Sequence, residues 1–267
     1  MEKRNVIIIS MILILLLMTT GCAKKENFKK DVANTLSIYE EDVNEFSNFF
    51  KVYEAHKYGI KEIYVQAGID NYTNTYLLET MPSIFSTLIK STNKYDMQVY
   101  ALLNNEAWLN KNDIVQEVDN VLKFNKQYKE ERFKGINIDV NLDNLNENDL
   151  NNYYNNLKQT REIIENHNKE NNDNLKLIIK VNNKMNEFID LADKVIINYE
   201  DKEILNNEND VKVLIELEEI KTNRKFINKL ENMIEEFNQY DNYDGIVIKD
   251  YESYIEVMKN LNLIVDK

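Results

Sequence analysis

The sequence is poor in the residues that form disulfides, tight turns and positively charged surfaces. Its 267 residues include 1 cysteine, 1 proline and 5 glycines. A single cysteine cannot form an intramolecular disulfide, and with only 2 histidines it cannot build a Cys/His zinc site. Lysine and arginine total 33 against 46 aspartates and glutamates, a formal net charge of -13. This excess of acid argues against nucleic-acid binding and against electrostatic attraction of the protein body to an anionic membrane.

Hydrophobic periodicity predicts alternating strands and helices. Runs rich in β-branched residues predict strands over 35–39, 60–67, 97–103, 136–141, 175–181, 194–198, 211–217 and 243–248. Apolar residues three and four positions apart predict helices over 42–58, 76–92, 114–124, 149–167, 185–191, 226–237 and 254–261. Residues 201–210 are predicted to form a polar loop.

The alternation of strands and helices indicates a parallel sheet, and eight parallel strands close into a (β/α)8 barrel of the TIM type. We therefore expect a single α/β domain over residues 34–267. A doubly wound open sheet is the alternative. Neither a G-x-G-x-x-G motif nor a P-loop follows any predicted strand, which favours the barrel.

The N-terminus has the pattern of an export signal. Basic residues at 3–4 precede an apolar run over 6–18, which is shorter than a typical transmembrane helix. The following Thr19-Thr20-Gly21-Cys22 resembles a bacterial lipoprotein signal, although Thr19 stands where such signals usually have leucine. This resemblance implies a signal peptide over 1–21, a lipid (palmitate) on Cys22, a tether over 22–33 and anchoring at the extracytoplasmic face of the cell membrane. The alternative is an uncleaved N-terminal anchor with an incidental cysteine.

The fourth predicted strand carries the main candidate site. Its apolar residues at 136, 138 and 140 alternate with Asn137, Asp139 and Asn141, so the two sets lie on opposite faces. Because apolar residues dominate the neighbouring strands, we expect the apolar face to lie under helices and the polar face to point to the barrel mouth. The alternative is an edge strand with a solvated face.

Residues 53–254 resemble a group of uncharacterised bacterial lipoproteins with a glycoside-hydrolase-like barrel. The stretches that carry the resemblance are 58–64, 99–103 with Trp108, 132–140, 195–199 and 243–251. This group is distantly similar to family 18 glycoside hydrolases, whose fourth strand carries Asp-x-Asp-x-Glu, with the glutamate protonating the leaving oxygen.

The matching positions in this chain are Asn137, Asp139 and Asn141. An amide cannot donate a proton as a carboxylic acid with a tuned pKa does. The resemblance therefore implies a barrel whose active site is partly degraded, with the general acid replaced by Asn141.

Other acidic residues are predicted near the same mouth. Glu216 and Glu218 share one face of the seventh strand, and Asp250 follows the eighth. Lys180, on the fifth strand, is predicted to pair with Asp139 and to lower the pKa of that carboxyl. The alternative is an interior polar network without catalysis.

Three aromatic residues are candidates for contacts with sugar. Trp108 follows the third strand, Tyr199 the sixth and Tyr251 the eighth. For each, the alternative is an ordinary packing role, since large aromatic residues are often only partly buried.

These observations favour a membrane-anchored surface protein that binds carbohydrate or cell-envelope glycan at the barrel mouth, without a cofactor or metal. The first alternative is an active glycoside hydrolase that uses Asp139 and Glu218 as its carboxyl pair. The second is a solute-binding lipoprotein, a class that usually has two lobes and a hinge.

Overall fold

The computed structural model describes residues 36–40, 43, 49–70, 73–104, 109, 114–141, 145–183, 185–206, 211–217 and 223–261. The predicted signal segment, Cys22 and the tether lie outside these residues, as do Trp108 and Glu218. Within the described part of the chain, no helix has the length and apolar character needed to cross a membrane.

Eight strands form a closed barrel in which every neighbouring pair is parallel, and the first strand pairs with the last. The strands are β1 (Leu36–Glu40), β2 (Ile60–Gln66), β3 (Gln98–Leu103), β4 (Gly135–Ile138), β5 (Lys176–Lys180), β6 (Lys194–Asn198), β7 (Lys212–Leu217) and β8 (Tyr243–Ile248). The predicted (β/α)8 barrel is confirmed, and the open sheet is excluded.

Helices connect the strands. They are α1 (Phe49–Lys57), α2 (Leu77–Thr80), α3 (Pro82–Asn93), α4 (Ile114–Gln127), α5 (Glu147–Asn171), α6 (Asn223–Phe237) and α7 (Tyr251–Asn260). Two 3-10 helices, Asn186–Leu191 and Tyr199–Asn206, flank β6.

Two predictions of secondary structure, one of a helix and one of a loop, need correction. The helix predicted over 76–92 is divided at Met81, because Pro82 lacks a backbone N–H and instead begins α3. The loop predicted over 201–210 contains a 3-10 helix that reaches Asn206.

The barrel has one apolar layer outside the strands and a second inside them. Ile136, Ile138 and Val140 belong to the outer layer, under the helices, whereas Asn137 is buried on the inside. The predicted alternation of β4 is therefore confirmed, and the solvated edge strand is excluded. The inner layer consists of Tyr39, Tyr64, Tyr100, Leu102, Ile178, Ile196, Leu214 and Val247.

The N-terminal end of the barrel interior is closed by a buried ionic cluster. Lys194 Nζ lies 2.8 Å from Oε1 of Glu62 and 2.7 Å from Oδ2 of Asp244. The hydroxyls of Tyr64 and Tyr100 donate to Glu62 at 2.8 and 3.2 Å. Because the carboxylate of Glu62 receives several donors, it can remain buried inside the barrel.

Gly135 opens β4 at a point where the backbone of β5 leaves no room for a side chain. A Cβ at this position would lie 2.6 Å from the carbonyl oxygen of Lys176 and 2.9 Å from the ring of Tyr100. At Gly68, by contrast, the nearest atom to an added Cβ is a flexible carboxylate oxygen of Glu117 at 3.2 Å.

We predict that Gly135→Ala lowers the free energy of unfolding by about 1–3 kcal/mol, because the added methyl overpacks two barrel strands. Gly68→Ala is the matched control and should cost less, because the Glu117 side chain can move. Urea unfolding followed by circular dichroism measures both variants. Equal losses would contradict the assignment of backbone crowding to Gly135.

Candidate functional site

The candidate site lies at the C-terminal ends of the strands. Asp139 directly follows β4, and its backbone N–H donates to the carbonyl oxygen of Leu103 at 3.1 Å, which extends the β3–β4 ladder by one residue. Lys180 ends β5, Glu216 lies near the end of β7, and Lys249 follows β8. Parallel strands place their carboxyl ends on one face of a barrel, so these four residues converge.

Lys180 is held between two carboxylates, and Glu216 is the closer partner. Its Nζ lies 3.0 Å from both carboxylate oxygens of Glu216 and 3.8 Å from Oδ1 of Asp139. A second ammonium, Nζ of Lys249, lies 3.5 Å from Oε1 of Glu216. The side chain of Glu216 has 0% exposure, so both lysines compensate a fully buried charge. The sequence therefore predicted the Lys180–Asp139 contact but not the shorter pair with Glu216.

The predicted direction of the Asp139 pKa is wrong. Burial raises the pKa of Asp139 and Glu216 raises it further, and together they outweigh the opposing effects of Lys180, Lys249 and the Tyr39 hydroxyl. The pair with Lys180 exists, but at 3.8 Å and shared with Glu216 it does not compensate for the lost hydration.

Tyr39 links Asp139 to the inner wall of the barrel. Burial raises the pKa of Tyr39 well above its ordinary value, and the charges of Asp139 and Glu216 add to this effect. The phenol therefore keeps its proton, which it can donate to Asp139, while its oxygen accepts from Nδ2 of Asn137 at 3.3 Å. These contacts fix the side chains of Asn137 and Asp139 on the inner face of β4.

Four amide oxygens near the mouth have no hydrogen-bond partner among the described residues although they are buried. They are Oε1 of Gln66 and Oδ1 of Asn104, Asn137 and Asn198. Strand alternation places all four side chains on the inner face. Gln66, Asn104 and Asn198 each lie two residues after a residue of the inner layer, and Asn137 pairs with a residue of that layer on the neighbouring strand. A buried acceptor without a donor costs free energy, so this group of oxygens favours a ligand or solvent that donates hydrogen bonds.

Sequence reasoning did not identify Gln66, Asn104, Asn198 or Tyr39 as site residues. A signal was present, since each lies within one residue of the carboxyl end of a predicted strand, in the inward-facing register. The sequence could not show that no described residue donates a hydrogen bond to the amide oxygens of Gln66, Asn104 and Asn198.

Three other predicted site residues make contacts away from Lys180, namely Asp250, Tyr251 and Tyr199. Asp250 caps α7 by accepting the backbone N–H of Ser253 at 3.0 Å. Tyr251 is buried, and its hydroxyl donates to the carbonyl oxygen of Lys51 at 3.3 Å. Tyr199 packs against α6 and donates to Glu236 at 3.1 Å. Asn141 is exposed just beyond β4.

Two predicted residues, Trp108 and Glu218, lie outside the described residues. Within the described part of the chain, no group of three or more His, Cys, Asp or Glu side chains could hold a metal ion.

Comparison with known proteins identifies the fold. No protein-family model and no curated protein sequence matches the chain. Solved structures do match. A chitinase from Bacteroides thetaiotaomicron is 14% identical with a TM-score of 0.56, over 85% of this chain and 94% of that chain. A GH18 chitinase from Pseudoalteromonas aurantia is 10% identical with a TM-score of 0.56, over 85% and 99%. A GH18 chitinase from Cycas revoluta, solved in complex with (GlcNAc)3, is 9% identical with a TM-score of 0.59, over 85% and 98%. The chain shares the barrel fold of these glycoside hydrolases.

The raised pKa of Asp139 predicts how this residue affects stability. The folded state holds the proton of Asp139 to a higher pH than the unfolded state does, so its contribution to the free energy of unfolding falls as pH rises through that window. We predict that Asp139→Asn is increasingly stabilised relative to the unsubstituted chain as pH rises above about 4, the ordinary pKa of an aspartate. Urea unfolding at several pH values measures this difference.

Asp173 provides the matched control of opposite sign. Burial raises the pKa of Asp173, but the backbone N–H of Asn174 and the guanidinium of Arg132 outweigh it and lower the pKa. Asp173→Asn should therefore lose stability relative to the unsubstituted chain as pH rises. A stability difference for Asp139→Asn with the same sign as that of Asp173→Asn would contradict the assignment.

Proposed function

We propose that the protein binds a glycan at the mouth of its barrel and does not cleave it. The observation that carries this proposal is the set of buried amide oxygens near the carboxyl ends of the strands that have no hydrogen-bond partner among the described residues. Sugars present hydroxyl groups, and N-acetylated sugars also an amide N–H, as donors for such acceptors. The (GlcNAc)3 complex of the Cycas revoluta chitinase supports an N-acetylglucosamine-containing glycan as the first ligand to test.

Loss of the proton donor supports binding rather than cleavage. Asn141 lies at the mouth end of β4, where the resembling hydrolases have the glutamate that protonates the leaving oxygen. Glu216 cannot replace it, because its side chain is fully buried and is held by Lys180 and Lys249. A carboxylate in that position contacts neither solvent nor a ligand at the mouth.

One observation favours hydrolysis as the second candidate function. The pKa of Asp139 is raised, and a carboxyl with a raised pKa is the usual general acid of a glycoside hydrolase. In this candidate function Asp139 donates the proton, and Glu218, outside the described residues, is its proposed partner. A solute-binding lipoprotein has less support, since the described residues form one barrel rather than two lobes joined by a hinge.

Titration with chitin oligosaccharides, peptidoglycan strands and neutral β-glucans separates these functions. We predict saturable calorimetric binding of an N-acetylglucosamine oligomer without release of reducing ends. Asp139→Ala should weaken this binding by about 10- to 100-fold, because a charged hydrogen-bond acceptor is lost. Glu165→Ala, on the exposed face of α5, is the matched control and should bind as the unsubstituted chain does.

Each remaining outcome has a defined meaning. Release of reducing ends that disappears in Asp139→Ala would replace the binding function with hydrolysis. Absence of binding to every glycan tested would refute both functions.

We further propose that the protein is held at the extracytoplasmic face of the membrane by a lipid on Cys22. The support is the sequence pattern alone: a basic start, a short apolar run and small residues before the only cysteine. The acidic body has no overall electrostatic attraction to anionic lipids, so attachment depends on this segment.

Mass spectrometry of the protein isolated from its own membranes tests the anchor. We predict a chain that begins at Cys22 and carries added acyl mass. Cys22→Ala should abolish cleavage and acylation, with Ser10→Ala as a control that leaves both intact. A chain that retains residues 1–21 without added mass would show that the apolar segment itself is the anchor.

A further inference from the structure

Helix α1 carries three neighbouring aromatic side chains that are exposed to solvent, unlike every other large hydrophobic side chain among the described residues. Phe49 is 43% exposed, Phe50 74% and Tyr53 49%, and no other large hydrophobic side chain of the described part of the chain is exposed. Tyr53 is three residues from Phe50 and four from Phe49, and these spacings make its side chain a neighbour of both on the helix surface. A contiguous exposed aromatic surface on a protein with a complete core marks an interaction site.

The aromatic surface continues onto the loop between α3 and β3. The ring of Tyr95 lies 6.1 Å from that of Phe49, 6.0 Å from that of Tyr53 and 4.7 Å from that of His56, measured between centroids. Nζ of Lys94 lies 5.1 Å from the centroid of Phe49. We call Phe49, Phe50, Tyr53, Tyr95, Lys57 and Lys94 the aromatic patch.

Lysines at the edge of the aromatic patch distinguish it from the rest of the surface. Lys57 lies one turn beyond Tyr53 on α1 and is exposed, as is Lys94. The chain as a whole carries a net charge of -13. One acidic side chain, Asp96, is exposed next to Tyr95, while Glu54 is paired with Lys259 at 2.6 Å. Aromatic rings flanked by lysines are the combination that inserts at the headgroup level of a bilayer.

The aromatic patch also lies near the point where the chain enters the barrel. Leu36, the first residue of β1, pairs with Ile60, the first residue of β2. Ile60 follows the C-terminal end of α1 by three residues, and Tyr95 lies just before β3 on the same N-terminal side of the barrel. Residues 23–35 can span at most roughly 50 Å between Cys22 and Leu36 when fully extended. An anchor on Cys22 therefore keeps the N-terminal side of the barrel within reach of the bilayer.

We propose that the aromatic patch seats the barrel on an anionic phospholipid surface, with Phe49 and Phe50 at the level of the headgroups and Lys57 and Lys94 contacting lipid phosphates. This inference rests on the membrane attachment proposed above but not on glycan binding. The anchor supplies a high local concentration of lipid, and the aromatic patch fixes which side of the barrel faces it. The mouth, at the opposite ends of the strands, then remains accessible.

Fluorescence quenching by brominated lipids tests the orientation. The full chain is reconstituted into vesicles of phosphatidylcholine and phosphatidylglycerol, with Phe50→Trp as the probe and the unsubstituted chain as background for Trp108. Asn151→Trp, exposed in the first turns of α5 on the mouth side of the barrel, is the matched control. We expect the quenching of Phe50→Trp to exceed that of Asn151→Trp by at least about twofold. Adding Lys57→Glu and Lys94→Glu to Phe50→Trp should reduce this difference.

Three results would overturn the proposal. Equal quenching of Phe50→Trp and Asn151→Trp would show that the barrel has no preferred side. Emission of Phe50→Trp shifted to the blue without quenching would show that protein, such as a second copy of the chain, covers the aromatic patch. Quenching that is unchanged by the two lysine substitutions would show that the charges of Lys57 and Lys94 do not contribute to membrane contact. A chain that fails to sediment with the vesicles reports instead that the attachment proposed above is wrong.

Discussion

The pairing of Lys180 with Glu216 is the interaction on which the mouth of the barrel depends. Both side chains are buried among strands, where an unpaired charge costs several kcal/mol in lost hydration. Bidentate contacts of 3.0 Å from one ammonium, together with Lys249 at 3.5 Å, make the charge of Glu216 tolerable inside the barrel. Asp139 lies farther from the same ammonium, at 3.8 Å, so Lys180 holds Glu216 more firmly than Asp139.

The two ends of the barrel interior use the same arrangement with different results. At the N-terminal end, Lys194 lies between Glu62 and Asp244, and tyrosine hydroxyls occupy the remaining acceptors of Glu62. At the mouth, Lys180 also lies between two carboxylates, yet nearby amide oxygens have no protein donor among the described residues. The polar groups of the N-terminal cluster therefore pair with one another and stabilise the fold. At the mouth, the amide oxygens can still accept hydrogen bonds from a ligand or solvent.

The sequence predicted the features that follow from strand periodicity and missed those that depend on burial. Alternation along β4 was sufficient to place Asn137 inside and Ile138 outside, and the adjacency of β4 and β5 was sufficient to bring Lys180 near Asp139. The pKa of Asp139 depends on how much water remains around it, which no spacing encodes. Asp250, Tyr199 and Tyr251 follow strands as expected, but the directions of their side chains are set by helix capping and by packing on α1 and α6.

The proposed change from cleavage to binding requires little alteration of the barrel. Cleavage of a glycoside needs a carboxylic acid that reaches the leaving oxygen, and in the proposed function the amide of Asn141 stands in place of that acid. Recognition needs only acceptors in fixed positions, which Asn137 and Asp139 retain through Tyr39. Binding can persist without cleavage because binding energy arises from many contacts, whereas proton transfer depends on a single carboxylic acid. A barrel without that acid can therefore still bind a glycan, and the proposed anchor and the proposed seating of the aromatic patch would hold the binding site away from the membrane.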